Sequence, residues 1–397
     1  MIQIYLKPGK EVPVLRFHPW IFSGAIAHVD GNPEDGDVVE VRDRKGALLG
    51  VGHFHHGSIA VRLLSFGPAD LYSDFFWTQK IQNALDVRAL LFDPFSEGCT
   101  FRLLHGEGDG LSGLIVDIYG DTAVVQCHSI GMYRQKELIV VALRNVFGDH
   151  LKAVYDKSSE ALPPKFAEKM NNGYLWASAT YALEGTKNIV ENGVKFIVDW
   201  QKGQKTGFFL DQRDNRQLLA HYAKDKTVLN AFCYTGGFSC YALKAGAKLV
   251  HSVDVSGKAM EICAENVLLN LPYPGEHVGY SEDVLHFLKN TEHQYQVMVI
   301  DPPAYAKSME KRHNAVQGYK RLNAEAMHKL AQGGVLFTFS CSQVVDRDLF
   351  YHTIAAAAME VGRPVRVLHH LTQGADHPVS LFHPEGSYLK GLVLKLD

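Results

Sequence analysis

Cys341 stands between two serines, directly after the apolar run Val335-Leu336-Phe337-Thr338-Phe339. A lone cysteine is usually a small buried hydrophobe. Here its place in the chain suggests chemistry. Upstream, Tyr295-Gln296-Val297-Met298-Val299-Ile300 runs into Asp301-Pro302-Pro303. Two prolines fix two φ angles and remove two N–H donors, so this turn is stiff and its carbonyls are free to accept. Further upstream, Val228–Phe232 leads into Cys233-Tyr234-Thr235-Gly236-Gly237-Phe238-Ser239, and Asp254 follows Gly236 by eighteen residues. If each run is a parallel strand, all four features collect at the carboxyl edge of one sheet, where open α/β sheets bind ligands.

The chemistry follows from the residue types. A glycine turn between strand and helix lets a ligand approach the backbone closely, and a carboxylate at the end of the next strand can accept both hydroxyls of a ribose. A dinucleotide would want G-x-G-x-x-G, which Cys233–Ser239 lacks. A methionine-bearing nucleoside has no pyrophosphate to cradle and asks less of the glycines. Asp283 precedes Val284, Phe287 and Leu288, and reads either as a helix cap or as the partner of an adenine amine. The Asp-Pro-Pro acceptors suit a planar base carrying an amine. Carbon 5 of a pyrimidine is a poor nucleophile. A thiolate adding at carbon 6 makes an enamine, and carbon 5 can then attack a methyl donor; a base must next remove the carbon-5 proton so that the thiolate leaves. Methylation of a nitrogen needs no such thiol, so Cys341 separates the two chemistries.

The elements that would position these residues fall into three stretches. In residues 1–72, short β-like runs (Asp37–Arg42, Ala47–His53, Ile59–Leu64) are divided by turns such as Asp30-Gly31-Asn32-Pro33. Residues 73–185 read as α+β: a helix Asp74–Phe92 with Ser73 as N-cap, a hairpin Leu114–Tyr119/Thr122–His128 about Gly120-Asp121, and a helix Arg134–Phe147. From 186 to 397 strand and helix alternate: strands at Val228–Phe232, Leu249–Val253, Val297–Ile300 and Val335–Phe339, helices at Ser239–Ala245, Gly257–Asn270, Asn323–Ala331 and Arg347–Val361. That pattern predicts an α/β fold with a doubly wound parallel sheet, closed by Val365–His370 and Tyr388–Leu396 as an antiparallel pair at one edge.

Composition excludes some classes. No apolar run approaches bilayer length, and Met1–Lys7 does not begin a signal peptide, so no membrane partner is expected. Six scattered cysteines (99, 127, 233, 240, 263, 341) lack metal-ligand pairing and read as reduced thiols, which points to the cytoplasm. The three stretches carry 7 basic against 8 acidic residues, 10 against 14, and 23 against 21. There is no global basic footprint, so any nucleic acid must meet a local patch. Arg16, Arg42, Arg44 and Arg62 are the candidates for one, whereas Trp20, Phe22 and Phe54 are read as core.

Taken together, these stretches resemble the bacterial 23S ribosomal RNA cytosine-5 methyltransferase family over essentially the whole chain. The resemblance is carried by His18–Ile26, Gly106–Leu114, Gly203–Arg213, the glycine loop, Asp301-Pro302-Pro303, Ser340-Cys341-Ser342 and Pro384-Glu385-Gly386. It implies an N-terminal PUA domain (1–72), a central α+β domain (73–185) and a Rossmann-like class I methyltransferase domain (186–397). It also implies S-adenosyl-L-methionine as methyl donor, ribosomal RNA as substrate and Cys341 as nucleophile, with Asp301 beside it in catalysis. The segment Lys205–Arg213 is implied to lie over the cofactor. The expected cofactor residues are then Lys205, Thr206, Gly207, Phe209, Asp211, Arg213, Asn230, Phe232, Tyr234, Gly236, Gly237, Asp254, Asp283 and Asp301. The expected RNA contacts are Pro302, Pro303, Arg16 and Arg42. Asp376, His377 and Glu385 are the candidates for the base that takes the carbon-5 proton. Two other readings stand beside this one: methylation of a guanine nitrogen or exocyclic amine, and a non-catalytic RNA-binding or assembly protein. Oligomeric state is open, with a homodimer among the expectations.

Overall fold

The turn-divided runs at the N-terminus become β1 (Ile2–Leu6), β2 (Trp20–Phe22), β3 (Ile26–Asp30), β4 (Val38–Arg42), β5 (Leu48–Phe54) and β6 (Ile59–Ser65) in the computed structural model, which describes residues 1–183, 185–306 and 308–397. They form one sheet in the order β2-β6-β5-β4-β1-β3, antiparallel except where β1 lies beside β4. The period-two pattern sends Ile4, Leu6, Val39, Val41, Val61 and Leu63 into a common core.

A second sheet follows, built from β7 (Thr100–His105), β8 (Leu114–Tyr119), β9 (Thr122–Cys127), β10 (Ala153–Asp156) and β11 (Gly173–Ala177) in the order β11-β10-β9-β8-β7. The predicted hairpin is there, with Tyr119 opposite Thr122 and Gly120 at φ +62° in the turn. The helices Asp74–Ala89 and Lys136–Phe147 share its core through Trp77, Ile81, Leu85, Ile139, Leu143 and Phe147. Ser73 sits at the N-cap as expected, but its side chain makes no capping bond.

Both sheets belong to one compact unit, Met1–Ile189 with Val198–Asp211 and Ala375–Gly386. Arg88 fastens the last of these segments. It is fully buried, forks onto Asp109 at 2.5 and 2.9 Å, and donates to the carbonyls of Arg102 and Asp376 at 2.8 Å each.

The other unit comprises Val190–Ile197, Gln212–Gly374 and Ser387–Asp397. The hairpin of β12 (Thr186–Glu191) and β13 (Val194–Asp199) lends it its tip. Its seven-stranded sheet contains β14 (Thr227–Ala231), β15 (Leu249–Asp254), β16 (Glu276–Ser281), β17 (Tyr295–Ile300), β18 (Leu330–Ser340), β19 (Val365–Leu371) and β20 (Lys390–Leu396), ordered β16-β15-β14-β17-β18-β20-β19. The first five strands are parallel, and β20 runs antiparallel to both its neighbours. β14 and β17 are almost wholly buried, as continuous apolar runs in a doubly covered sheet must be. One helix is longer than its pattern suggested. It spans Arg312–Lys329, not Asn323–Ala331, because Ala315, Tyr319 and Leu322 extend the apolar stripe by three turns beneath a polar surface. Residues 330 and 331 belong instead to β18.

Candidate active site

The glycine loop is shaped by left-handed backbone. Phe232, Tyr234 and Gly236 have φ of +59°, +49° and +82°. The N–H groups of Cys233 and Gly236 are spent within the fold, on the Val253 and Cys233 carbonyls at 3.1 and 2.9 Å, so the loop is a tight, internally bonded turn. Asp254, at the end of β15, holds the loop: Oδ2 accepts from the Tyr234 N–H and Oδ1 from the Ser256 N–H, each at 2.9 Å. A carboxylate has about four lone-pair sites, so these bonds leave capacity for ribose hydroxyls. Asn230 serves as a brace below the loop, donating to Ser239 Oγ at 2.8 Å, which in turn meets Ser252 Oγ at 2.6 Å.

A buried ion pair lies behind the loop. Arg216 forks onto Glu191 with two 2.8 Å bonds, Arg213 lies 3.4 Å from the same carboxylate, and the Tyr241 hydroxyl donates to it at 3.0 Å. A Cβ on Gly237 would come within 3.1 Å of Arg216 Cδ, so the small residue lets the loop rest on the guanidinium. Arg213, expected as a cofactor contact, is thus engaged from within the fold.

The Asp-Pro-Pro turn and Cys341 are joined. Ser342 Oγ donates to the Ala306 carbonyl at 2.7 Å, tying the turn after β18 to the segment after β17. Pro302 is buried and Pro303 exposed. Gln212 Nε2 donates to Asp301 Oδ2 at 2.9 Å, and Asn215 holds that glutamine through Oε1 at 2.7 Å. Cys341 is half-buried between the two buried serines. The Lys390 ammonium, on the neighbouring β20, donates to the Ser342 carbonyl at 2.7 Å. Lys390 is only 5 % exposed, and burial pulls its pKa down to about 8 against the opposing pull of Cys341.

The carboxyl edge of β14, β15, β17 and β18 therefore collects the loop, Asp254, Asp301 with its prolines, and Cys341. This set of carboxylate and carbonyl acceptors beside a close-approach glycine turn fits a nucleoside. Asp283 caps the helix Val284–Asn290 by accepting from His286 N at 2.9 Å. Lys205, Thr206, Gly207, Phe209 and Asp211 belong to the first unit. There the Thr206 hydroxyl donates to Asp117, and Lys205 is exposed with φ +53°. Gly207, at φ +123°, has no room for a Cβ, which would stand 2.7 Å from Val198 Cγ1.

Other expectations fare differently. Asp376 and His377 are 2 % exposed and lie in the first unit, where Asp376 accepts from the Arg102 N–H at 3.1 Å and pairs with His377 at 2.8 Å. They help to anchor the segment Ala375–Gly386. Glu385 is exposed, 3.9 Å from His18 Nε2 and 3.8 Å from His383 Nε2. Arg42 gives its guanidinium to Glu40 and the Gly46 carbonyl, whereas Arg16 is exposed. Phe54 packs inward as expected, but Trp20 is only partly buried, its Nε1 donating to Glu107 at 2.9 Å, and Phe22 is half exposed. Sequence reasoning missed Gln212, Lys390 and Glu191. Gln212 lay within the Gly203–Arg213 string, which was a signal; the other two had none.

Comparisons with known proteins identify the family. A PUA-like domain model matches residues 4–66, and an S-adenosylmethionine-dependent methyltransferase model matches residues 167–373. The chain is 41 % identical over 400 residues to the ribosomal RNA large subunit methyltransferase I of Aeromonas hydrophila, covering 99 % of this chain and 98 % of that one. It is 37 % identical to its namesake from Alteromonas mediterranea, with the same coverage. Among solved structures, a Streptococcus mutans protein described as a sam-dependent methyltransferase superposes with a TM-score of 0.82 at 23 % identity, over the full length of both chains. Another methyltransferase structure, solved in complex with SAH, superposes with a TM-score of 0.84, also at 23 % identity.

Proposed function

The chain belongs to the ribosomal RNA large subunit methyltransferase I family, and from this we propose that it methylates carbon 5 of a cytosine in large-subunit ribosomal RNA. S-adenosylmethionine, when bound, supplies an electrophilic methyl group. The residues that would hold it are the Phe232–Gly237 backbone and Asp254. Lys205–Asp211 and Arg213 are assigned to it from the family resemblance alone. The single observation that carries the choice of carbon over nitrogen is Cys341, half-buried on the sheet edge that bears Asp301.

In this reading Cys341 adds as thiolate to carbon 6 of the base, making carbon 5 nucleophilic, and leaves again once the carbon-5 proton is removed. Asp301, held by Gln212, orients the base by accepting from its exocyclic amine. Pro302 and Pro303 keep that turn stiff and free of competing donors. The target base must leave its stack to reach Cys341. We assign RNA capture to residues 1–72, a connecting role to 73–185 and catalysis to 186–397. Arg16 and Arg44, both exposed, are the basic residues that would meet phosphate. Among the described residues no helix is long and apolar enough to cross a membrane. The reading places the enzyme in the cytoplasm, and sedimentation velocity tests whether it acts as a homodimer.

The test is covalent trapping on large-subunit RNA transcribed with 5-fluorocytidine, where fluorine in place of the proton blocks release of the enzyme. The wild type should form a protein–RNA adduct at Cys341. Cys341→Ala should form none and lose on the order of 10³-fold or more in methylation. Near-normal turnover by Cys341→Ala would favour nitrogen methylation and defeat this reading.

A further inference from the structure

Resting on the assignment of Cys341 as nucleophile, we propose that Lys390 is a positioning residue whose buried ammonium holds the Cys341 sulfur as thiolate before the base arrives. Lys390 is the first residue of β20 and pairs across the sheet with Ser340, the last residue of β18. Its Nζ reaches past that partner to the Ser342 carbonyl, at 2.7 Å. Lys390 is thus tied on both sides of Cys341, its backbone by register to 340 and its ammonium by hydrogen bond to 342. At 5 % exposure it has little water to screen it.

A lysine carbon chain could fill this space without a charge, and a methionine would do so more cheaply. Placing an ammonium here costs desolvation that needs a compensating anion or dipole. The Ser342 carbonyl supplies the dipole. The charges that act on Lys390 are Cys341 and Asp346, which favour the ammonium, and Arg347, which opposes it. Arg347 and Asp346 both flank the start of the helix Arg347–Val361, so their effects are opposed, and Cys341 is the larger of the two favourable influences. Interaction between two titrating groups is reciprocal. An ammonium favoured by the sulfur anion must favour that anion in return, which pulls the thiol toward its ionised form against the effect of its partial burial. Lys390 itself moves no proton: the thiol proton passes to solvent, the ammonium stays, and the anion left on sulfur supplies the electron pair for the bond to carbon 6.

The experiment needs neither RNA nor cofactor. Full-length enzyme is alkylated with iodoacetamide across pH 5.5–10, and the rate at Cys341 is read by mass spectrometry of its peptide. The wild-type midpoint is expected at least about one pH unit below an ordinary thiol. Lys390→Met, which keeps the volume, should raise the midpoint by about one unit or more, and Lys390→Arg, which keeps the charge, should restore most of the difference. An unchanged midpoint in Lys390→Met would overturn the proposal. So would a wild-type midpoint at or above the ordinary thiol value, a result that requires no variant to fold. Failure of the 5-fluorocytidine adduct with a low alkylation midpoint would remove the cytosine mechanism while leaving the Lys390–Cys341 pair in place. An adduct formed by a wild type with an ordinary midpoint would do the reverse.

Discussion

Asp301 is not free to turn, because Gln212 donates to one of its oxygens at 2.9 Å and Asn215 fixes that glutamine. Orientation of this kind is worth a sizeable part of a rate. Gln212→Ala should therefore lower kcat/KM for RNA methylation by roughly 10- to 100-fold with an unaltered thermal midpoint. Wild-type kinetics in this variant would show that Asp301 needs no support. Three buried histidines of the first unit set a pH limit. Burial, aided by arginine or lysine charges nearby, pulls His53 and His128 down to about 4 and His105 to about 2. Each is neutral when folded and takes a proton near 6.5 when unfolded. The unfolded chain thus binds more protons below that value, so this stability is fully present above about pH 6.5 and is lost as the pH falls from there to about 4, and toward 2 for His105. Thermal midpoints measured at pH 7.5, 6 and 5 should fall steadily; a flat series would contradict the neutral assignment. At this scale the sequence displayed by type the groups to which chemistry is assigned, such as Cys341, Asp254 and Asp301. It could not display Lys390 or Glu191, because a charged residue in a strand or hairpin looks like a solvated one until its neighbours are known.

The glycine loop depends on conformations that most side chains resist. Gly236 combines φ +82° with a position where a Cβ would lie 2.5 Å from Cys263 Sγ. Gly236→Ala should destabilise the protein by about 1–3 kcal/mol and weaken S-adenosylmethionine binding, as calorimetry would report. The hairpin of β12 and β13 contributes through Glu191, whose carboxylate is buried with Arg216 and Arg213. Glu191→Gln leaves those guanidinium groups without their counter-charge and should cost about 3–5 kcal/mol, seen as a large drop in thermal midpoint. A drop within the range of a surface substitution would mean that water reaches the pair. The parallel strands β14, β15 and β17 were readable because continuous apolar runs between glycine turns have few other uses. β16 was not read, since Glu276-His277-Val278-Gly279-Tyr280-Ser281 carries little apolar pattern and takes its strand form from pairing with β15. The start of the helix Arg312–Lys329 was missed for a similar reason: its surface is polar and Gly318 interrupts it, yet Gly318 is where the Tyr305 ring passes, 2.9 Å from where a Cβ would be.

Three stretches of texture were visible along the chain, but the return of Ala375–Gly386 to the first unit was not, because it depends on a buried arginine 288 residues earlier. Arg88→Met should free this segment: we expect faster protease cleavage within 375–386 and a loss of about 3–5 kcal/mol, since Asp109 is left buried and unpaired. Unchanged cleavage would show that Asp376 and His377 hold the segment unaided. Strand order has a further consequence for the molecule as it is made. β20 is synthesised after β19 yet lies between β18 and β19, and β19 pairs with β20 alone. On the translating ribosome β19 therefore waits with no strand beside it, and the sheet closes only when β20 slides into an interior slot. Lys390 arrives with that strand. If Lys390 holds the sulfur as thiolate, a nascent chain that already displays its cysteine and its glycine loop still lacks that ammonium, and reactivity of Cys341 arrives with the last strand of the sheet.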